Sequence, residues 1–154
     1  MYNKILVPLD GSKLAECVLP HLETLVRGCQ VREVAFVRVV EPFHLPRRDE
    51  YVLPAEEIDK INTQTATQAR DYLKRLVEGL HYAEVKTSWE ILSGNPAEAI
   101  GNYATQHGAD LILIATHGRS GVSRWARGSV ADRILRSSCI PVLMIRAPGC
   151  VPGF

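Results

Sequence analysis

Short apolar runs alternate with amphipathic stretches along the whole chain. Residues 4–7 (KILV), 33–40 (EVAFVRVV), 85–92, 111–115 (LILIA) and 142–145 (VLMI) predict five strands, and three of them are almost purely apolar. Strands of that kind suit a parallel sheet covered on both faces. Between them, Leu14, Val18, Leu22 and Leu25 recur at i, i+4, i+8 and i+11, while Ile58, Ile61, Thr65, Ala69, Tyr72, Leu73 and Leu76 trace a longer amphipathic helix. Gly28 and Gly79 close these two helices. Asn95 as N-cap, Pro96 at the first helical position and Glu98 at the third write a third helix start, with Gly108 at its stop. Ser129 followed by Asp132 opens a fourth. Each parallel return needs a covering helix and a right-handed crossover. The expected fold is α/β: a single doubly wound domain with a five-stranded parallel sheet flanked by helices, Rossmann-like, in the order 3-2-1-4-5.

Composition narrows the class. At 154 residues the chain fits one domain, long enough to bury about two thirds of its unfolded surface. Its formal net charge of +1 supplies no broad electrostatic footprint for nucleic acid or an anionic membrane. No apolar run approaches the ~20 residues that span a bilayer. Cys17, Cys29, Cys139 and Cys150 form no CxxC pair, and no secretory signal pattern opens the sequence, so reduced thiols and a cytoplasmic location are expected. Residues 42–54, with three prolines and two arginines, read as one long loop.

The densest chemistry lies in residues 111–129, LILIATHGRSGVSRWARGS. An apolar strand breaks into a glycine-bearing loop with three arginines and then meets a helix start. Loop amides and a helix N-terminus outside the carboxyl end of a parallel strand form an anion site. Gly118 and Gly128 would let backbone amides approach phosphate oxygens, and Ser129 would add a hydroxyl at the positive end of the last helix. Arg119, Arg124 and Arg127 bring charge, although a solvated loop face is the other reading of all three and the favoured one for Arg124 and Arg127. Two glycines ten apart arise about once by chance in a chain of this size, so the weight rests on the flanking strand and cap.

These residues carry a family resemblance over residues 1–146, leaving 147–154 as a tail. The opening KILVPLDGS, the strand end Arg38-Val39-Val40-Glu41, the turn SGNPAEAI and the segment ATHGRSGVSRWARGSVADRILRSSCIPVLMIR resemble the universal stress protein family, ATP-binding type. Its fingerprint of Gly, two residues, Gly, nine residues, Gly and Ser or Thr is met by Gly118, Gly128 and Ser129, with Ala115 in place of the first glycine. The resemblance implies a stress-response sensor or regulator that takes ATP, with or without Mg2+. It further implies that Pro8, Leu9 and Asp10 line the adenine and ribose side, the Asp10 carboxylate accepting from a ribose hydroxyl. Val39 would lie against the adenine, Ile114 and Ala115 near base and ribose, and His117 beside the loop, while Val130 would offer its amide. Asp10 has a second reading, as a cap of the first helix together with Ser12.

Other chemistries find less support. GxxxxGK[ST], GxGxxG after the first strand and GxSxG are all absent, and the five histidines lack metal-ligand spacing. No catalytic constellation is visible, so turnover is expected to be at most slow ATP hydrolysis, far below the enzyme median of about 10 per second. His117 stands without an acid or nucleophile fixed beside it, and Trp89 and Trp125 read as packing. Alternatives are a slow ATP hydrolase or adenylate-transferring protein of the same fold, and an interaction module that has lost nucleotide binding, for which Ala115 is the main argument. The strand opened by Val142 and closed by Ile145 would be a sheet edge, and both its unpaired backbone and the family resemblance imply a homodimer through it.

Overall fold

The computed structural model describes residues 2–43, 54–116 and 130–147. Five parallel strands, β1 (Lys4–Pro8), β2 (Glu33–Val40), β3 (Lys86–Ser93), β4 (Leu111–Thr116) and β5 (Val142–Arg146), form one sheet in the order β3-β2-β1-β4-β5. Four helices, α1 (Leu19–Gly28), α2 (Ala55–Gly79), α3 (Pro96–Gln106) and α4 (Val130–Ser137), make the crossovers. This is the doubly wound α/β fold that the alternating pattern predicts.

The strand period of two sorts the core into layers. Ile5, Val7, Val34, Phe36, Leu111 and Leu113 pack with Val18, Leu22 and Leu73 on the α1 and α2 side. Leu6, Ala35, Val37, Ile112 and Ile114 pack with Ile100, Ala104, Ala131 and Ile134 on the α3 and α4 side. Central strands buried on both faces explain why their sequences are runs and not alternations. Asp110 accepts from the backbone amides of Asn3 and Lys4, both at 2.8 Å, which fastens the start of β1 to the start of β4.

Two local expectations change, at the first helix and the third strand. The first helix opens as a single 3-10 turn, Ala15–Val18, before α1 begins. Pro20 has no N–H to give the Glu16 carbonyl, so the Leu19 amide bonds it instead, three residues back. Gly28 and Gly79 end their helices as expected, from inside the last turn and without positive φ; the amides of Cys29 and Leu80 close them on Leu25 and Val77. The third strand begins at Lys86, not residue 85, because Glu84 turns the chain at φ 63°. The third helix start is as expected: Asn95 Oδ1 accepts from the Glu98 amide and Gly108 takes φ 63°.

Cys17, Cys29 and Cys139 are free thiols, and Trp89 packs against the first core layer. Among the described residues no helix is long and apolar enough to cross a membrane.

Candidate functional site

The β1–β4 ladder stops early. Its register runs Ile5 to Leu111 and Leu6 to Ile112, although both strands continue. The Leu9 amide donates to Val37 O at 2.9 Å, so strand alternation turns residue 8 toward β4. Residue 8 is proline and has no N–H to give. The two strands therefore part at the point where strand order reverses, which is where open parallel sheets hold their ligands.

A cavity of about 340 Å³ opens at that crevice. Pro8, Leu9, Asp10, Val39, Ile114, Ala115 and Val130 all line it, joined by Ala15, Val37, Glu41, Pro96, Ile100, Thr116 and Ala131. Seven residues named from the sequence thus meet around one space. The other five, His117, Gly118, Arg119, Gly128 and Ser129, lie outside the described residues, as do Arg124, Trp125 and Arg127.

Several lining residues were not singled out from sequence, though the signals existed. Val37 and Glu41 flank Val39 at the strand period and share its face. Pro96 and Ile100 sit at the first turn and one turn further on α3, following SGNPAEAI. Val37, Ile100, Ile114 and Ala131 are buried and apolar, whereas Asp10 and Glu41 are exposed carboxylates at the mouth. The described lining holds no lysine or arginine.

Asp10 makes one of its two expected contacts within the chain. Its Oδ1 accepts from the Ser12 amide at 2.8 Å, and Ser12 Oγ accepts from the Ala15 amide at 3.1 Å, so Asp10 braces the turn that leads into the 3-10 segment, whose N-cap Leu14 carries no side-chain cap bond. Oδ2 has no hydrogen-bond partner among the described residues. Ala115 pairs with Ile145 in regular parallel register and without positive φ, so its methyl introduces no backbone strain where the fingerprint has glycine.

Behind the Asp10 turn lies a polar group on the other face of the sheet. The Arg38 guanidinium stands over the Tyr72 ring, 5.5 Å from its centroid. The Tyr72 hydroxyl donates to Glu16 Oε1 at 3.2 Å, and Lys13 Nζ pairs with Glu16 Oε2 at 2.9 Å. Burial first, then the charge and hydrogen bond of Glu16 and the charge of Asp10, push the Tyr72 phenol well above its usual range, with Arg38 opposing.

Comparison with known proteins agrees with this architecture. The model of the Universal stress protein family matches residues 1–146. The chain belongs to the universal stress protein family. Among relatives, it is 30% identical over 150 residues to Universal stress protein MJ0531 of Methanocaldococcus jannaschii, covering 96% of this chain and 84% of that one. Among solved structures, the hypothetical protein MJ0577 of the same organism superposes with a TM-score of 0.76 at 24% identity, covering 97% of this chain and 99% of that one. A universal stress protein family protein from Arabidopsis thaliana, solved with AMP bound, gives a TM-score of 0.61 at 15% identity, covering 96% and 93%.

Proposed function

We propose that this universal stress protein is a cytoplasmic sensor or regulator that binds an adenine nucleotide, ATP foremost, in the cavity between β1 and β4. The observation that carries the reading is the convergence of Pro8, Leu9, Asp10, Val39, Ile114, Ala115 and Val130 on one cavity at the switch point. About 340 Å³ lies in the range of small-molecule sites, and apolar walls with a few polar groups are what a base and sugar require. The AMP held by the Arabidopsis relative gives the same ligand class.

Charge sets the direction of the ligand. Asp10 and Glu41 repel phosphate, so the base and ribose belong at their end and the phosphates toward the start of α4, where Val130 would offer its amide. In this reading Oδ2 of Asp10 accepts from a ribose hydroxyl, and Gly118, Arg119, Gly128, Ser129 and His117 complete the phosphate side. Mg2+ would arrive with the nucleotide's phosphates. The protein is proposed to pair as a homodimer through β5.

Calorimetry tests the placement. Val39→Trp fills the base end and should abolish measurable ATP binding. Asp10→Ala should weaken it by about 10- to 100-fold, the worth of one charge-assisted hydrogen bond. Unchanged ATP affinity in both folded variants would remove the nucleotide from this cavity, and an unmodified protein that binds no adenine nucleotide would favour the interaction module.

A further inference from the structure

Arg38 faces away from the cavity. Strand alternation on β2 sends Val37 and Val39 into the cavity wall and Arg38 to the other face, the side on which Phe36 packs against α1 and α2. There its guanidinium has no carboxylate partner among the described residues. It lies instead against the Tyr72 ring and against the backbone of Gly11. Gly11 sits at φ 88°, so close that a Cβ built there would fall 2.7 Å from an Arg38 terminal nitrogen and 3.0 Å from the guanidinium carbon.

An arginine loses substantial rotamer freedom when held in one place. A guanidinium presents a flat face and a fork of donors to a ring and a turn at once, which a compact ammonium does not. The turn it backs is the one that carries Asp10, whose carboxylate accepts from the Ser12 amide and reaches the cavity mouth. Tyr72, in turn, is tethered through Glu16 to Lys13, on the far side of the same turn.

We propose that Arg38 is a positioning residue: its guanidinium, packed on Tyr72 and Gly11, backs the turn and holds the Asp10 carboxylate at the rim, so that selection of a ribose depends on a side chain across the sheet. The ligand side of this inference rests on the nucleotide reading; the geometric side does not.

Two variants and two measurements separate those sides. Arg38→Met keeps most of the stem and removes the plane and the charge, while Arg38→Lys keeps the charge alone. Hydrogen exchange at the Ser12 amide reads the Asp10 contact with no ligand present; it should quicken about tenfold in both variants, with the Leu6 amide of β1 unchanged. Calorimetry with ATP and 2′,3′-dideoxy-ATP reads the mouth. The preference of the unmodified protein for ATP should fall about tenfold in both variants, while dideoxy-ATP affinity stays within about twofold.

Unchanged protection at Ser12 overturns the proposal, as does a full ATP preference in Arg38→Met. Equal loss of both nucleotides would reduce Arg38 to a structural residue, and complete rescue by lysine would replace the planar contact by charge alone. If neither nucleotide binds the unmodified protein, the nucleotide reading has failed, and exchange at Ser12 by itself decides whether Arg38 positions the turn.

Discussion

Tyr103 shows how one residue on the cavity-side helix ties stability to pH. It is 9% exposed, its ring stacks on His107 one turn along α3 with centroids 3.9 Å apart, and the His107 ring nitrogen Nδ1 lies 3.0 Å from the Tyr103 carbonyl. Burial, then the hydrogen bond and charge of Glu90 on β3, and then the charge of Glu33, push its phenol up to about 12. A tyrosine in an unfolded chain titrates near 10, at about its model-peptide value. The folded pKa is the higher one, so the native state favours the protonated phenol, and the stability this confers is complete below about pH 10. It should drain away as pH rises from about 10 to about 12. Tyr72 and Tyr82 shift in the same direction and add to the slope. Denaturant titrations across that window should therefore give a shallower loss for Tyr103→Phe than for the unmodified protein. An identical slope would mean that Tyr103 ionises as it does in the unfolded chain.

Elements were legible wherever local chemistry and tertiary demand coincide. At α3 they coincide: Asn95 accepts from Glu98 N at 3.4 Å, Pro96 fills a position with no helical N–H to donate, and Gly108 takes the left-handed turn. The cap bond is long, so Asn95→Ala should cost about 0.5–1 kcal/mol, lowering the thermal midpoint by about 1–4 °C with α3 still formed. A calorimetric scan with no shift would show that Pro96 alone suffices to start the helix. Where periodicity and backbone chemistry conflict, reading by periodicity fails. Val18, Leu22 and Leu25 pack into one core layer, yet Pro20 splits their helix into a 3-10 turn and α1 and leaves Leu14 ahead of both, because a hydrophobic stripe does not register a missing donor. Gly28 and Gly79 mark helix ends by type but not by conformation; the backbone amides that follow them close the last turns without a left-handed residue.

At the scale of the molecule, strand order and the cavity follow from features visible in the chain, and the fine lining does not. Apolar runs separated by helices dictate parallel strands, and Pro8 at the end of β1 marks where the ladder must part. Ala131 reaches the cavity only because α3 and α4 pack together over that crevice, an arrangement no local window contains. The other edge of the sheet leads to the last prediction. Ile112 N donates to Pro141 O at 2.9 Å and Ala147 N to Thr116 O at 3.0 Å, so residues 141, 143, 145 and 147 turn their backbone groups to β4. Val142, Met144 and Arg146 then turn theirs outward from the sheet. Beside that ladder, unpaired among the described residues, Leu143 is 38% exposed, and Leu135 on α4, which packs against β4 and β5, is 50% exposed. An apolar strand edge of this kind invites pairing, and antiparallel union of two copies about a two-fold axis would occupy both edges in one contact. Sedimentation should find a dimer at micromolar concentration, and Leu143→Lys should shift it to monomer with an unchanged circular dichroism spectrum. A monomeric unmodified protein would show that the edge is tolerated bare, whereas an undisturbed Leu143→Lys dimer would move the interface to another face of the molecule.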